Sequence, residues 1–187
     1  MPILKKEPEL FPENLLDNPS EYREEAQWFA FYTMSRREKD LMRKLTALKI
    51  GHYGPMAEKR SKSPSGRMRV SYAPLFPGYV FVYGTEIDRY ETVSTGCISK
   101  CIPVTEPDLF LEDLRRIRML AEHGEDLQAE IRPVVGQKAR LVRGPLKDRE
   151  LVGTILKVNN RHRLTIMVNF LQQGASIVVD EADVEIV

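Results

Sequence analysis

Apolar positions along this chain recur with two periods, and the alternation between them predicts its elements. Gln27-Trp28-Phe29-Ala30-Phe31-Tyr32 alternates with period two, which puts Trp28, Ala30 and Tyr32 on one face of a strand and Phe29 and Phe31 on the other. Leu41, Leu45 and Leu48 follow at helical spacing, behind Ser35 and Glu38 at the spacing of a capping box, and Gly51 and Gly54-Pro55 end that helix. Ser61-Lys62-Ser63-Pro64-Ser65-Gly66 reads as the tip of a hairpin. The run Pro74-Leu75-Phe76-Pro77-Gly78-Tyr79-Val80-Phe81-Val82-Tyr83 then predicts a rigid turn into a buried strand, because Pro77 fixes its own φ, Gly78 tolerates angles other residues resist, and β-branched and aromatic residues follow. Tyr79, Phe81 and Tyr83 share one face of it. Thr85 and Asp88 cap a short helix through Tyr90 and Val93 to Gly96, Cys97 to Val104 alternates as a strand stopped at Pro103, and Thr105, Pro107 and Asp108 open a helix striped by Phe110, Leu114, Ile117 and Ala121.

Beyond residue 133 the helical period disappears. Short strands are predicted at 138–143, 153–158, 163–170 and 176–179, with a fifth at 183–187 and turns at Gly144-Pro145, Asn159-Asn160 and Gln173-Gly174. Ile155, Val158, Thr165, Ile166, Val168, Ile177, Val178 and Val179 are β-branched, so strands are expected rather than a helical hairpin. The fold class is therefore α+β: an amino-terminal mixed sheet covered by helices over residues 26–123, a polar acidic linker over 124–133, and a small carboxy-terminal β-barrel over 134–187. Residues 1–25, with four prolines among acidic side chains and a scattered set around Leu10, Phe11, Leu15 and Leu16, read as a mobile acidic leader containing one short helical turn.

Charge sharpens this division. The net charge is only +1, yet residues 26–105 hold thirteen basic and six acidic side chains, and acidic segments flank them. No acidic residue occurs from Lys59 to Thr85, where Lys59, Arg60, Lys62, Arg67 and Arg69 lie on the arms and tip of the predicted hairpin. Such a block faces a polyanion, a solvated loop being the alternative reading. No apolar run approaches the ~20 residues of a membrane-spanning helix. The amino terminus lacks the apolar stretch of a signal peptide, so a cytoplasmic monomer that binds no membrane is expected. Cys97 and Cys101, roughly 13 Å apart on a strand, are beyond disulfide reach and read as buried thiols. Nucleotide-binding loops, nucleophile elbows and paired-histidine metal motifs are all missing, so neither an enzyme nor a cofactor or metal is expected.

What remains is binding chemistry, and here the sequence resembles a known family. Leu75-Phe76-Pro77-Gly78-Tyr79-Val80-Phe81-Val82 resembles the amino-terminal domain signature of NusG-family transcription elongation factors, and the preceding Pro74 and Leu75 resemble the operon-specialised RfaH-type paralogues. Gly136, Arg143-Gly144-Pro145 and Gly153 resemble a KOW domain of SH3-like barrel form, and the order of the two matches the NusG layout over residues 27–187. The resemblance implies that Tyr32, Phe76, Pro77, Tyr79 and Phe81 grip the clamp helices of the largest catalytic subunit of RNA polymerase, with the core as the alternative place for each ring and most of all for Phe81. It further implies a bridge across the polymerase cleft that suppresses pausing and favours antitermination. Arg36, Arg37, Arg43 and Lys44 on the first helix, with Lys59, Arg60, Lys62, Arg67 and Arg69, would then lie near upstream or non-template DNA. Met34 and Asp40 stand where RfaH-type relatives would carry basic residues. For the KOW barrel the resemblance implies a second partner, a small-subunit ribosomal protein or Rho, met by Ile166, Val168 and Phe170; Arg161 and Arg163 would suit RNA equally well. The competing class is a ribosome-associated or RNA-binding KOW protein, which fits the basic block but leaves the aromatic strand unexplained.

Overall fold

The alternating run Gln27–Thr33 and the organising run Tyr79–Gly84 pair directly, as their matching aromatic and β-branched faces require. A computed structural model describes residues 7–123, 125–130, 136–147, 151–158, 161–168, 171 and 173–187. Contacts divide the chain into two compact units, Met1–Pro107 and Asp108–Val187.

In the first unit, β1 (Leu10–Phe11), α1 (Pro19–Tyr22), β2 (Gln27–Thr33), α2 (Glu38–Ala47), β3 (Gly51–Tyr53), β4 (Met56–Lys62), β5 (Met68–Pro74), β6 (Tyr79–Gly84), α3 (Glu86–Ser94) and β7 (Ile98–Pro103) follow in order. The sheet order is β1-β3-β6-β2-β7, while β4 and β5 form a separate two-stranded ribbon. The mixed strand directions expected of this sheet are not found, since every neighbouring pair is antiparallel. The reason is topological. Each helix carries the chain to a parallel strand, β2 to β3 through α2 and β6 to β7 through α3, but another strand lies between the two members of each pair. Phe29, Phe31, Val80 and Val82 pack with Leu41, Met42 and Leu45 of α2 and with Ile50, Met56 and Cys97. Trp28, Ala30, Phe81 and Tyr53 are buried as well.

Two local expectations change. Residues 7–25, expected to be mobile, are packed: Leu15 and Leu16 are fully buried, β1 adds to β3, and Gly54 donates to the Glu9 carbonyl. Leu10 and Phe11 form the edge strand itself and Leu15 packs near Gly51 of β3, so these positions join the sheet without a period of their own. Arg23 further pairs with Asp88. Burial pushes the Asp88 carboxyl up, but Arg23 and the Thr85 backbone and hydroxyl donors outweigh it and hold it below the ordinary carboxylate range. The predicted Thr85–Asp88 capping box forms. The Ser35–Glu38 box does not: the N-cap is Arg37 without a side-chain cap bond, and Glu38 is drawn elsewhere.

The second unit contains α4 (Pro107–His123), whose first residue precedes the division, followed by β8 (Glu125–Glu130), β9 (Gln137–Leu141), β10 (Val152–Val158), β11 (Arg161–Val168), β12 (Gln173–Val179) and β13 (Val184–Ile186). The stripe Phe110, Leu114 and Ile117 is buried, together with Leu120. The five strands expected from the pattern are present, and with β8 they form a six-stranded antiparallel sheet in the order β13-β9-β10-β11-β12-β8. Closure into a barrel is not seen among the described residues, where β13 and β8 lie at opposite edges. Glu125–Glu130 falls in the stretch read as a linker, yet it forms β8 and pairs with β12. Leu127 and Ala129 alternate with Asp126 and Gln128, but so short a signal, with one large apolar residue among acidic neighbours, reads as a linker until pairing with β12 marks it as a strand. The predicted Asn159-Asn160 turn lies outside the described residues.

Candidate functional site

The first unit's exposed aromatic surface begins with the turn before β6. Leu75 donates to the Pro55 carbonyl at 2.7 Å and Tyr79 to the Phe76 carbonyl at 3.0 Å, closing the turn around Pro77. Gly78 takes φ +85°, and a Cβ there would lie 2.7 Å from the Tyr32 ring, so the position needs glycine for both angle and space. Its carbonyl accepts from Thr33 N at 2.7 Å, and its N–H donates to Glu38 Oε1 at 2.7 Å. Glu38, buried at the start of α2, thus ties the helix to the turn across forty residues of sequence.

This frame presents Tyr32 and Tyr79, which are register partners with ring centroids 5.1 Å apart at 66°. Tyr32 is 43% exposed, Tyr79 half-buried and Pro77 exposed. Burial, with the Tyr32 hydroxyl beside it, raises the Tyr79 phenol above its usual range. Phe76 and Phe81, named with them from the sequence, are 1% and 0% exposed and pack on each other at 6.1 Å. They support the surface from within and present no ring to a partner. Strand alternation put Phe81 on the correct face, but it does not report which part of that face is covered.

The basic residues divide into two sets. On α2 and the turn before it, Asp40 accepts from Arg37 at 3.0 Å and lies 3.3 Å from Lys44, while Arg43 reaches Glu7 at 3.1 Å. Lys44 also donates to the Thr95 carbonyl at 3.0 Å and lies 3.4 Å from Cys97 Sγ. The Cys97 thiol, then Lys44, hold the Asp40 carboxyl below its ordinary range. Arg36 is exposed in a left-handed conformation, φ +60°. Exposed ion pairs of this kind are worth little and open readily to a phosphate.

The β4–β5 ribbon forms the second set. Its register, from Met56↔Pro74 to Lys62↔Met68, puts Arg60 and Lys62 on one face and Lys59 and Arg69 on the other. Arg60 is paired with Glu58 at 2.5 Å. Arg67 lies at the tip, where its N–H donates to Ser63 Oγ and Gly66 takes φ +77°. The ribbon is thus basic on both faces and at its end, an arrangement suited to a phosphate backbone.

Sequence reasoning missed a groove of about 630 Å³ between α2 and α3, lined by Lys44, Ala47, Leu48, Ile87, Tyr90 and Thr95 among others. Leu48, which helical spacing grouped with the buried Leu41 and Leu45, is exposed here together with Ile87 and Tyr90. In the second unit, Ile166 and Val168 are 2% and 0% exposed, so they belong to the core of the sheet's central strands and not to a partner surface. Phe170 lies outside the described residues. Arg161 is exposed, whereas Arg163 is buried and engaged within the sheet. The two thiols are free, and burial raises the Cys101 pKa.

The first unit is thus an antiparallel sheet carrying an exposed tyrosine pair behind a Phe-Pro-Gly turn, with a basic ribbon inserted before it. Residues 26–107 match the model of the NusG family, Transcription termination factor nusG. No curated protein matches the chain. The NusG match covers β2 to β7, the segment that holds both the tyrosine surface and the ribbon, and it supports a transcription-associated factor. The α+β architecture of the NusG-like segment is compatible with the amino-terminal domain of that family, whose members act as non-enzymatic factors. No helix among the described residues is long and apolar enough to cross a membrane.

Proposed function

We propose that this chain is a transcription elongation and antitermination factor that holds the RNA polymerase clamp helices through Tyr32, Pro77 and Tyr79 and thereby suppresses pausing. The observation that carries this reading is the exposed Tyr32–Tyr79 pair, held by the Glu38–Gly78 bond inside the NusG-like segment. NusG-family factors generally bind RNA polymerase. Two rigid aromatic rings with a proline beside them offer large contact area at low entropic cost to an apolar ridge. A factor that favours the elongating over the paused state by ~1.4 kcal/mol shifts the balance tenfold.

The ribbon then runs beside upstream or non-template DNA, where cations on both faces contribute affinity without reading sequence. Asp40 partly neutralises Arg37 and Lys44, which favours phosphate contact over base reading at α2 even though Pro74 and Leu75 ally the chain with the RfaH-type branch. In this reading the second unit acts as a KOW-type domain that recruits a ribosomal protein or Rho, and the factor works as a cytoplasmic monomer.

The test is binding of the full chain to core RNA polymerase and to an isolated clamp-helix fragment, with pause lifetimes measured in parallel. The parent binds both and shortens pauses; Tyr32→Ala/Tyr79→Ala loses all three effects while staying folded. Unchanged binding by that variant refutes the docking surface. The basic ribbon also fits an RNA-binding KOW protein, and strong RNA affinity with a steep salt slope and no polymerase binding would favour that class instead.

A further inference from the structure

The strand β8 is held to the sheet in an unusual way. Arg163 on β11 is 7% exposed, and a buried guanidinium must find acceptors for its donors. Two come from β12: Nε donates to Ser176 Oγ at 2.9 Å and Nη2 to the Ser176 carbonyl at 3.0 Å. The other two come from β8: Nη1 donates to Asp126 Oδ2 at 3.0 Å and Nη2 to the Asp126 carbonyl at 2.7 Å. Half of the acceptors of a buried cation are therefore supplied by one residue of an edge strand.

That edge strand fits its place imperfectly. Its pairing with β12 runs through Gly174↔Glu130, Ala175↔Ala129 and Ser176↔Gln128, then slips before Val178↔Glu125. At the slip Asp126 takes φ +49°, a left-handed conformation that a non-glycine residue adopts at a cost. Leu127 is the only large apolar residue in Glu125–Glu130, so little burial of apolar surface holds the strand down. The Asp126 side chain is itself 52% exposed.

We propose that the β12 edge is a strand-docking site for an extended acidic peptide of a partner protein, and that β8 is its built-in, exchangeable occupant. Backbone pairing along β12 would give affinity to any extended segment. Arg163 adds the selectivity: a strand that replaces β8 without a carboxylate at the Asp126 position leaves a buried cation without its anionic partner, and one that carries it restores the charge-assisted bond. The intramolecular strand competes at high effective concentration, so the free chain keeps the site closed until a better-fitting acidic strand arrives. The inference deepens the reading that the second unit has its own partner, and it does not depend on polymerase docking.

The test uses the full chain without polymerase, and as probe a fluorescent peptide copying residues 123–131. Ala129→Pro puts a fixed φ and no N–H in the middle of β8, opposite Ala175 of β12, and loosens the strand. The expected result is at least tenfold tighter probe binding by Ala129→Pro than by the parent, and at least tenfold weaker binding of the same probe with Asn at the Asp126 position. Equal binding by parent and variant, or indifference to the Asp-to-Asn change, overturns the proposal. Should Ala129→Pro disturb the whole sheet, Asp126→Asn in the chain serves instead: amides of β12 exchange faster while those of β10 and β11 keep their protection. Unaltered exchange along β12 overturns it too, as does exchange of β8 between two copies of the parent with no probe binding.

Discussion

Removing the Glu38 carboxylate isolates the link between α2 and the turn that presents the tyrosines. Its Oε1 accepts from Gly78 N–H at 2.7 Å, and Glu38 is buried, so water cannot readily replace it. A hydrogen bond to a charged group contributes about 1.5–3 kcal/mol, and an acidic residue in the first turn of a helix adds about 0.3–1 kcal/mol against the macrodipole. Glu38→Ala removes both and is expected to cost about 2–4 kcal/mol; Glu38→Gln keeps an acceptor but no charge and should cost about half as much. The two units need not unfold together, so a whole-chain melt is a blurred readout. Amide exchange at Gly78 and Tyr79 reports the link directly, and polymerase binding measured on the same samples reports its effect on the surface. Exchange at Gly78 should accelerate by one to two orders of magnitude in Glu38→Ala, with binding weakened although no contacting ring is changed. If Gly78 exchanges as in the parent, Glu38 does not hold the turn and the argument fails.

Three further outcomes follow from the same geometry. Tyr79→Ala should weaken polymerase binding by ~2 kcal/mol with the fold intact, whereas Phe81→Ala should destabilise the first unit by about 3–5 kcal/mol; comparing denaturant midpoints with binding isotherms checks the distinction between surface and core. Replacing Lys59, Arg60, Lys62, Arg67 and Arg69 with Gln should flatten the salt dependence of binding to an elongation complex and leave binding to a clamp-helix fragment nearly unchanged, which a titration of ionic strength measures. His52 is buried, and burial lowers its pKa against the opposing bond to the Ile50 carbonyl, so the unfolded chain takes up a proton before the folded one does. The stability of the first unit should therefore be fully present above the ordinary histidine range and fall as the pH drops through it toward the depressed folded value; in His52→Phe, denaturation midpoints across that window should lose this slope.

Local spacing in the sequence was sufficient for much of this protein. Period-two alternation at Trp28–Tyr32 and Tyr79–Tyr83 determined which side chains share a face, because a pleated strand alternates wherever it lies. The Thr85–Asp88 cap was equally legible, since both partners lie within one helical turn. Tertiary structure alone decided the rest. Glu38 has the right spacing for a box with Ser35, but a glycine amide forty residues away competes for its carboxylate and wins. Tyr79 and Phe81 have the same pattern, yet only the packing around them makes one a surface and the other core. Leu15 and Leu16 follow no period yet are fully buried, and Glu125–Glu130 carries only the short alternation of Leu127 and Ala129, its place being decided by the β12 edge and a buried arginine. A sequence records the periodicity of its own elements; which groups from distant elements meet, and which are left facing water, depends on the assembled sheet.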